Sequence, residues 1–205
     1  MLHLEAVTSD TLALLRRIQA LPELAHTRLA GGTALALQLG HRLSVDLDIF
    51  GIWDERLDLT FLLSTCGKAE KTAGKTRLQF FEIDGIKVDF ITHPADWLGD
   101  PLEEDGLRCA GIPDIVAMKL EAVNNRGSRK DFMDLAFLLE LFTLPKMLEL
   151  YKHKYPAGSE YLILRSLVFF DDAEEEPMPV MLKPMSWDTV KACIQNAVRE
   201  CGRNM

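Results

Sequence analysis

The sequence predicts an α/β (α+β) fold: a mixed sheet flanked by helices, followed by a helical C-terminal extension. Three observations lead there. Strand-like runs at 27–30, 45–50 and 78–91 alternate with helix-forming segments. Beyond residue 112 the apolar spacing is helical only. The 205 residues, 48% hydrophobic and 26% charged, have the composition of a folded chain long enough for one α/β core and a helical addition. The expected division is a core over 1–112 and a helical region over 113–205, with no internal repeat.

Each element has a local reason. Ser9 or Asp10 can cap a first helix whose apolar positions Leu12, Leu15, Ile18 and Leu21 recur at helical spacing, and Pro22 ends it. Residues 27–30, ThrArgLeuAla, read as a strand entering Gly31-Gly32. Residues 33–39 have helix-forming composition, and Gly40 stops them. In residues 45–50, ValAspLeuAspIlePhe, polar and apolar side chains alternate, so Asp46 and Asp48 share one strand face and Val45, Leu47 and Ile49 the other. A helix is expected at about 57–65. The runs flanking Asp84-Gly85 form a hairpin, because a type I′ turn needs positive φ at both central residues. Past that turn Ile86, Val88 and Phe90 share one face, Lys87 and Asp89 the other. Residues 94–112 read as a loop. From Pro113 a helix carries Ile115, Met118 and Ala122 to a stop near Gly127, and Ser128 with Asp131 resembles a capping box opening a helix through Leu141. Residues 146–205 read as two or three helices around an acidic, proline-containing loop.

Composition excludes several functions. With 23 basic against 31 acidic residues the net charge is −8, so contact with nucleic acid must rest on a local basic patch. The run DDAEEE at 171–176 reads as a solvated loop. No stretch approaches the roughly 18 apolar residues of a membrane span, and the N-terminus lacks the basic region of a secretory signal. Cys66, Cys109, Cys193 and Cys201 have neither zinc-site nor disulfide-framework spacing. A reducing cytoplasm is the expected compartment, with no membrane partner.

The chemistry concentrates in residues 29–50. Gly31-Gly32, between a strand and a helix, lets backbone N–H groups approach an anion at the positive end of the helix dipole, and Thr33 can donate to the same phosphate. Asp46 and Asp48 can both reach a hard cation such as Mg²⁺, which fills its shell with waters and substrate phosphates. The bland alternative for an isolated Asp-x-Asp is a solvated sheet edge. Asp89 supplies the third carboxylate that metal-assisted phosphoryl or nucleotidyl transfer uses to bind metal or take a proton; its alternative is cross-strand charge pairing. Arg42 either binds a nucleotide or clamps Asp46 or Asp48, whereas His41 caps or packs after the glycine-ended helix. Lys119, Arg126, Arg129 and Lys130 form the basic segment available to a triphosphate or RNA backbone, or else complement a helix end. Trp53, Trp97 and Trp187 show no regular spacing and read as packing residues.

The run Gly31 to Phe50, with His41, Arg42 and Ser44 before the Asp46/Asp48 pair, resembles the AbiEii/AbiGii toxin family of nucleotidyltransferases in the DNA polymerase β-like superfamily. Lys119 and the later Lys130, Asp131, Asp134, Leu135 match the family's downstream helical motif. The resemblance implies a nucleotidyltransferase-like core and transfer of NMP from an NTP to an acceptor hydroxyl. It implies Asp46, Asp48 and Asp89 as ligands of Mg²⁺ or Mn²⁺, with Gly31, Gly32, Thr33, Arg42, Ser44 and Lys130 holding nucleotide. Lys119 would neutralise phosphate, and Asp131 would be a polar or catalytic group near the site, unless it only caps its helix. It also implies a toxin with a cognate antitoxin and tRNA as acceptor. The alternatives are transfer to a small, aminoglycoside-type acceptor, or nucleotide binding without turnover.

Overall fold

The structure, a computed structural model, describes residues 1–92 and 96–203. The chain divides into two units, Met1–Asp96 with Asp100–Ala110, and Trp97–Gly99 with Gly111–Met205.

The first unit is built on a mixed seven-stranded sheet: β1 (Thr27–Ala30), β2 (Leu47–Gly51), β3 (Ala69–Lys75), β4 (Leu78–Ile83), β5 (Ile86–Thr92), β6 (Leu102–Glu104) and β7 (Leu107–Cys109), in the order β3-β4-β5-β2-β1-β7-β6. β2 runs parallel to β5 and β1 parallel to β7; the remaining neighbours are antiparallel. Helices α1 (Ser9–Gln19), α2 (Gly31–Leu39) and α3 (Leu59–Leu63) accompany it, with two single-turn 3₁₀ helices at Leu4–Ala6 and Pro22–Leu24.

The Asp-Gly hairpin forms as expected, with positive φ at Asp84 and Gly85. A second such turn falls where a loop is expected. Asp105-Gly106, also both at positive φ, joins β6 to β7 inside the stretch expected to be loop at 94–112; residues 94 and 95 of that stretch lie outside the described residues. β3 was not expected at all. It is an exposed edge strand whose lysines and Gly74 show no apolar alternation, as suits an edge that must not recruit another chain.

Three local expectations are corrected. The cap of α1 is Thr8, whose hydroxyl accepts from the Thr11 amide, so the helix starts one or two residues sooner and its buried residues are Thr11, Leu14, Leu15, Ile18 and Gln19. α2 begins at Gly31, not Thr33. β2 begins only at Leu47, leaving Val45 exposed and Asp46 ahead of the strand rather than on it. The core face of the central strands is closed: Leu47, Ile49, Val88 and Phe90 are fully buried, and the Phe90 ring meets Trp53 and Phe81 edge-on at 5.9 and 5.8 Å.

The second unit is helical: α4 (Ile112–Asn125), α5 (Arg129–Leu139), α6 (Leu144–Lys154), α7 (Glu160–Ser166), α8 (Asp171–Glu174) and α9 (Trp187–Arg203). α4 packs on α5, α6 and α7, and α9 packs on α5 and α6. Met118 and Ala122 are only partly covered, the buried face of α4 being Ile115, Val116, Ala117, Leu120 and Val123. The acidic run is not a free loop. Part of it forms α8, where Glu174 accepts from Trp187 Nε1 (2.9 Å) and Lys191 Nζ (2.8 Å), while Glu176 accepts from the Arg129 amide (2.8 Å). Phe132, Phe170 and Trp187 form an aromatic cluster beneath it, with centroids 4.9 to 5.9 Å apart. No described helix is long and apolar enough to cross a membrane, and the four cysteines are free thiols.

Candidate active site

The sheet register assembles the candidate site of the first unit. Asp48 on β2 and Asp89 on β5 are direct partners across the parallel pair, so their side chains share a face opposite the apolar core. On the other side Asp48 pairs with Ala30, the last residue of β1 before the Gly31 turn. That pairing brings turn and carboxylate together. Gly31 has φ +65°, and a Cβ there would lie 2.3 Å from Asp48 Oδ2. Glycine is therefore required twice, for the left-handed backbone and for the space the carboxylate occupies. α2 starts at this turn with no side-chain cap from Ala30.

Asp89 is buried, 6% exposed, with Oδ2 receiving the Lys87 ammonium at 2.9 Å. Its Oδ1 is buried with no hydrogen-bond partner, a costly state for a carboxylate oxygen and one that a ligand would relieve. Lys87 lies two residues before Asp89 and on the same face. Its pKa is raised by the bond to Asp89 and further by the charges of Asp46 and Asp48, so it feels all three carboxylates. The sequence placed Lys87 and Asp89 on one face; what it did not reveal is that the pair forms along the strand rather than across it.

Mg²⁺ takes oxygen ligands and commonly keeps waters and substrate phosphates beside one or two carboxylates. Among the described residues no group of three or more His, Cys, Asp or Glu side chains is already gathered around one point. The neighbouring Asp48 and Asp89, with one buried unpartnered oxygen, fit a cation that brings its other ligands with it rather than an all-protein cage.

Several residues expected to hold nucleotide also make bonds within the unit. The Thr33 hydroxyl is 1% exposed and donates to the Asp46 carbonyl, so the Ser44 hydroxyl must donate to Thr33 Oγ1, 2.8 Å away. Both tie α2 to the chain entering β2. The Ser44 amide bonds the Ala6 carbonyl at 2.8 Å. Arg42 is 3% exposed and donates through Nη1 to the Leu43 carbonyl at 3.0 Å, and His41 is fully buried, in keeping with a packing role.

In the second unit Lys119 and Asp131 are buried together. The Lys119 ammonium meets Asp131 Oδ1 at 2.8 Å and Asp134 Oδ2 at 2.6 Å. Asp131 also accepts from Arg126 Nε at 2.8 Å and from Ser128 Oγ at 2.6 Å. The expected capping box is thus replaced: the Ser128 hydroxyl donates to the carboxylate instead of accepting a helix amide. Burial alone would push the Asp131 carboxyl up, but the Lys119 charge and the Arg126 and Lys119 hydrogen bonds outweigh it and hold it far below the usual carboxylate range. Such a group stays ionised and is a poor proton acceptor. Arg129, expected in the basic patch, donates to the Ala173 and Glu174 carbonyls and lies 4.9 Å over the Trp187 ring. Lys130 is exposed.

A mixed sheet with a glycine turn abutting paired aspartates is the arrangement that the resemblance in sequence implies for a nucleotidyltransferase core. The model of the AbiEii nucleotidyl transferase toxin family, of a type IV toxin–antitoxin system, matches residues 13–192, and the chain belongs to that family. It is a nucleotidyltransferase. An Aquifex aeolicus protein without assigned function is 35% identical over 180 residues, covering 84% of this chain and 86% of that one. Among solved structures, the Helicobacter pylori protein JHP933 aligns with a TM-score of 0.56 at 17% identity, over 97% and 96% of the two chains. The nucleotidyltransferase toxin MenT4 of Mycobacterium tuberculosis aligns with a TM-score of 0.56 at 14% identity, over 93% and 84%. Both likenesses concern the fold.

Proposed function

We propose that this nucleotidyltransferase transfers NMP from an NTP to a hydroxyl of tRNA, with Mg²⁺ or Mn²⁺ held by Asp46, Asp48 and Asp89. The observation that carries it is the contact between turn and carboxylate. Gly31 touches Asp48, and Asp48 is the register partner of Asp89, whose Oδ1 has no partner.

The amides of the Gly31-Gly32 turn, at the positive end of α2, bind the triphosphate. A divalent cation, when bound, offsets charge on the α-phosphate and acidifies the attacking hydroxyl. Asp89 takes the acceptor proton as the new O–P bond forms, and the Pα–O bond to pyrophosphate breaks in line. Thr33 and Ser44 hold the turn against Asp46 without touching substrate. Lys119, Asp131 and Asp134 fix α4 against α5, and Lys130 stands exposed on α5. The family supports a toxin with a cognate antitoxin, and we place its action in the cytoplasm.

The test is incubation with α-labelled nucleoside triphosphates, Mg²⁺, and either bulk tRNA or aminoglycosides. Label is expected in tRNA, and it is lost with Asp48→Ala. Label confined to aminoglycosides would replace the acceptor, and stable nucleotide binding with no label in either would replace transfer by binding.

A further inference from the structure

The Lys87–Asp89 pair has a consequence beyond the transfer reaction. Lys87 Nζ sits 2.9 Å from Asp89 Oδ2, while 56% of the Lys87 side chain remains exposed. Its flexible four-carbon stem is therefore held at its tip while more than half of the side chain faces solvent. β5 places it on the face where Asp48 and Asp89 are register partners, and the charges of Asp46 and Asp48 both act on it. Asp48 and Asp89 are like-charged register neighbours, and the ammonium on Asp89 offsets part of their mutual repulsion.

Resting on the proposed metal role of these aspartates, we infer that Lys87 is a tethered counter-ion that occupies Asp89 before substrate arrives and couples divalent-metal loading to nucleotide binding. A metal arriving alone at the open Oδ1 meets the like charge of the ammonium already held on Oδ2 of the same carboxylate. A metal arriving with a triphosphate brings a new anion to which the ammonium can turn, so the competition falls away. Lys87 is on this account a positioning residue, acting through Asp89.

The experiment titrates Mn²⁺ into the full chain by calorimetry or water-proton relaxation, with and without a non-hydrolysable nucleoside triphosphate. The proteins are wild type, Lys87→Met, Lys87→Arg and Asp89→Asn. With Mn²⁺ alone, Lys87→Met should bind roughly three- to tenfold more tightly than wild type, as expected for removal of a half-exposed competing ion pair. Lys87→Arg should restore the wild-type value. The factor by which the nucleotide tightens Mn²⁺ binding should shrink in Lys87→Met. Equal or weaker Mn²⁺ binding by Lys87→Met, in a preparation where wild type binds Mn²⁺ and Asp89→Asn does not, overturns the inference alone. Absence of Mn²⁺ binding by wild type even with the triphosphate overturns both the metal role and the inference.

Discussion

Two acidic centres, one in each unit, solve the same electrostatic problem in opposite ways. In the helical unit Asp131 is fully buried and bonded by Lys119, Arg126 and Ser128, and Asp134 shares the same lysine. In the sheet unit Asp89 is nearly as buried, yet one oxygen has no partner and the other is met by a lysine whose side chain is more than half exposed. A saturated carboxylate contributes to stability and has little capacity left for a ligand. A half-satisfied one costs stability and keeps a coordination position open, which is the usual character of a functional site.

Substitutions can break that contrast. The largest effect is expected at Asp89→Asn: a loss of transfer on the order of 10³-fold, the value of several kcal/mol of lost charge stabilisation, with no fall in melting temperature. Labelled transfer and a thermal melt check both parts, and a variant with a lowered melting temperature but near-wild-type transfer would reverse the assignment. Lys119→Met should do the converse, costing about 3–5 kcal/mol because two buried carboxylates lose their shared cation. Denaturant unfolding measures this, and a cost under about 1 kcal/mol would mean that the network is not structural.

Gly31→Ala and Gly85→Ala sharpen the comparison. Both glycines have positive φ, so each substitution should cost about 1–2 kcal/mol. Only at Gly31 does the new Cβ meet a carboxylate, whereas Gly85 has nothing within 4 Å. Transfer should therefore drop roughly 10²-fold in the first alone; equal kinetic losses would separate the turn from the site.

The pH dependence is expected to be smaller. The folded-state pKa of Asp131 lies below its ordinary value, so its contribution is present above the unfolded pKa of about 4 and is lost as pH falls toward the folded value. The stability gap between wild type and Asp131→Asn should be full at pH 7 and narrow progressively below about pH 4. A gap that is constant to pH 3 would contradict the ion-pair account. Smallest of all, Lys130→Ala at an exposed position should shift stability by no more than about 0.5 kcal/mol, so that any larger effect on transfer reports substrate contact.

Much of the sheet was legible because its signals are local. The Asp84-Gly85 turn forced a hairpin, and alternation from Ile86 to Phe90 put Lys87 and Asp89 on one face. Asp105-Gly106 carried the same signal, but its strands are only three residues each, too short for alternation to register. β3 was hidden because an edge strand protected by lysine looks like a polar loop. At the site, Thr33 has the composition of a phosphate donor, yet the carbonyl of Asp46, thirteen residues on, receives its proton. No local pattern encodes that.

By itself the sequence determined the strand-to-helix glycine turn, the hairpin that carries Asp89 and the family to which the chain belongs, since each depends on residues close together in the chain or in a fixed order. Only the tertiary structure decided that Asp48 stands beside Asp89, that Gly31 yields its Cβ space to Asp48, and that Lys119 is neutralised while Asp89 is half satisfied. Register between strands forty residues apart and the supply of donors around a buried carboxylate are set by packing of the whole unit, and a charge acquires its function from what surrounds it.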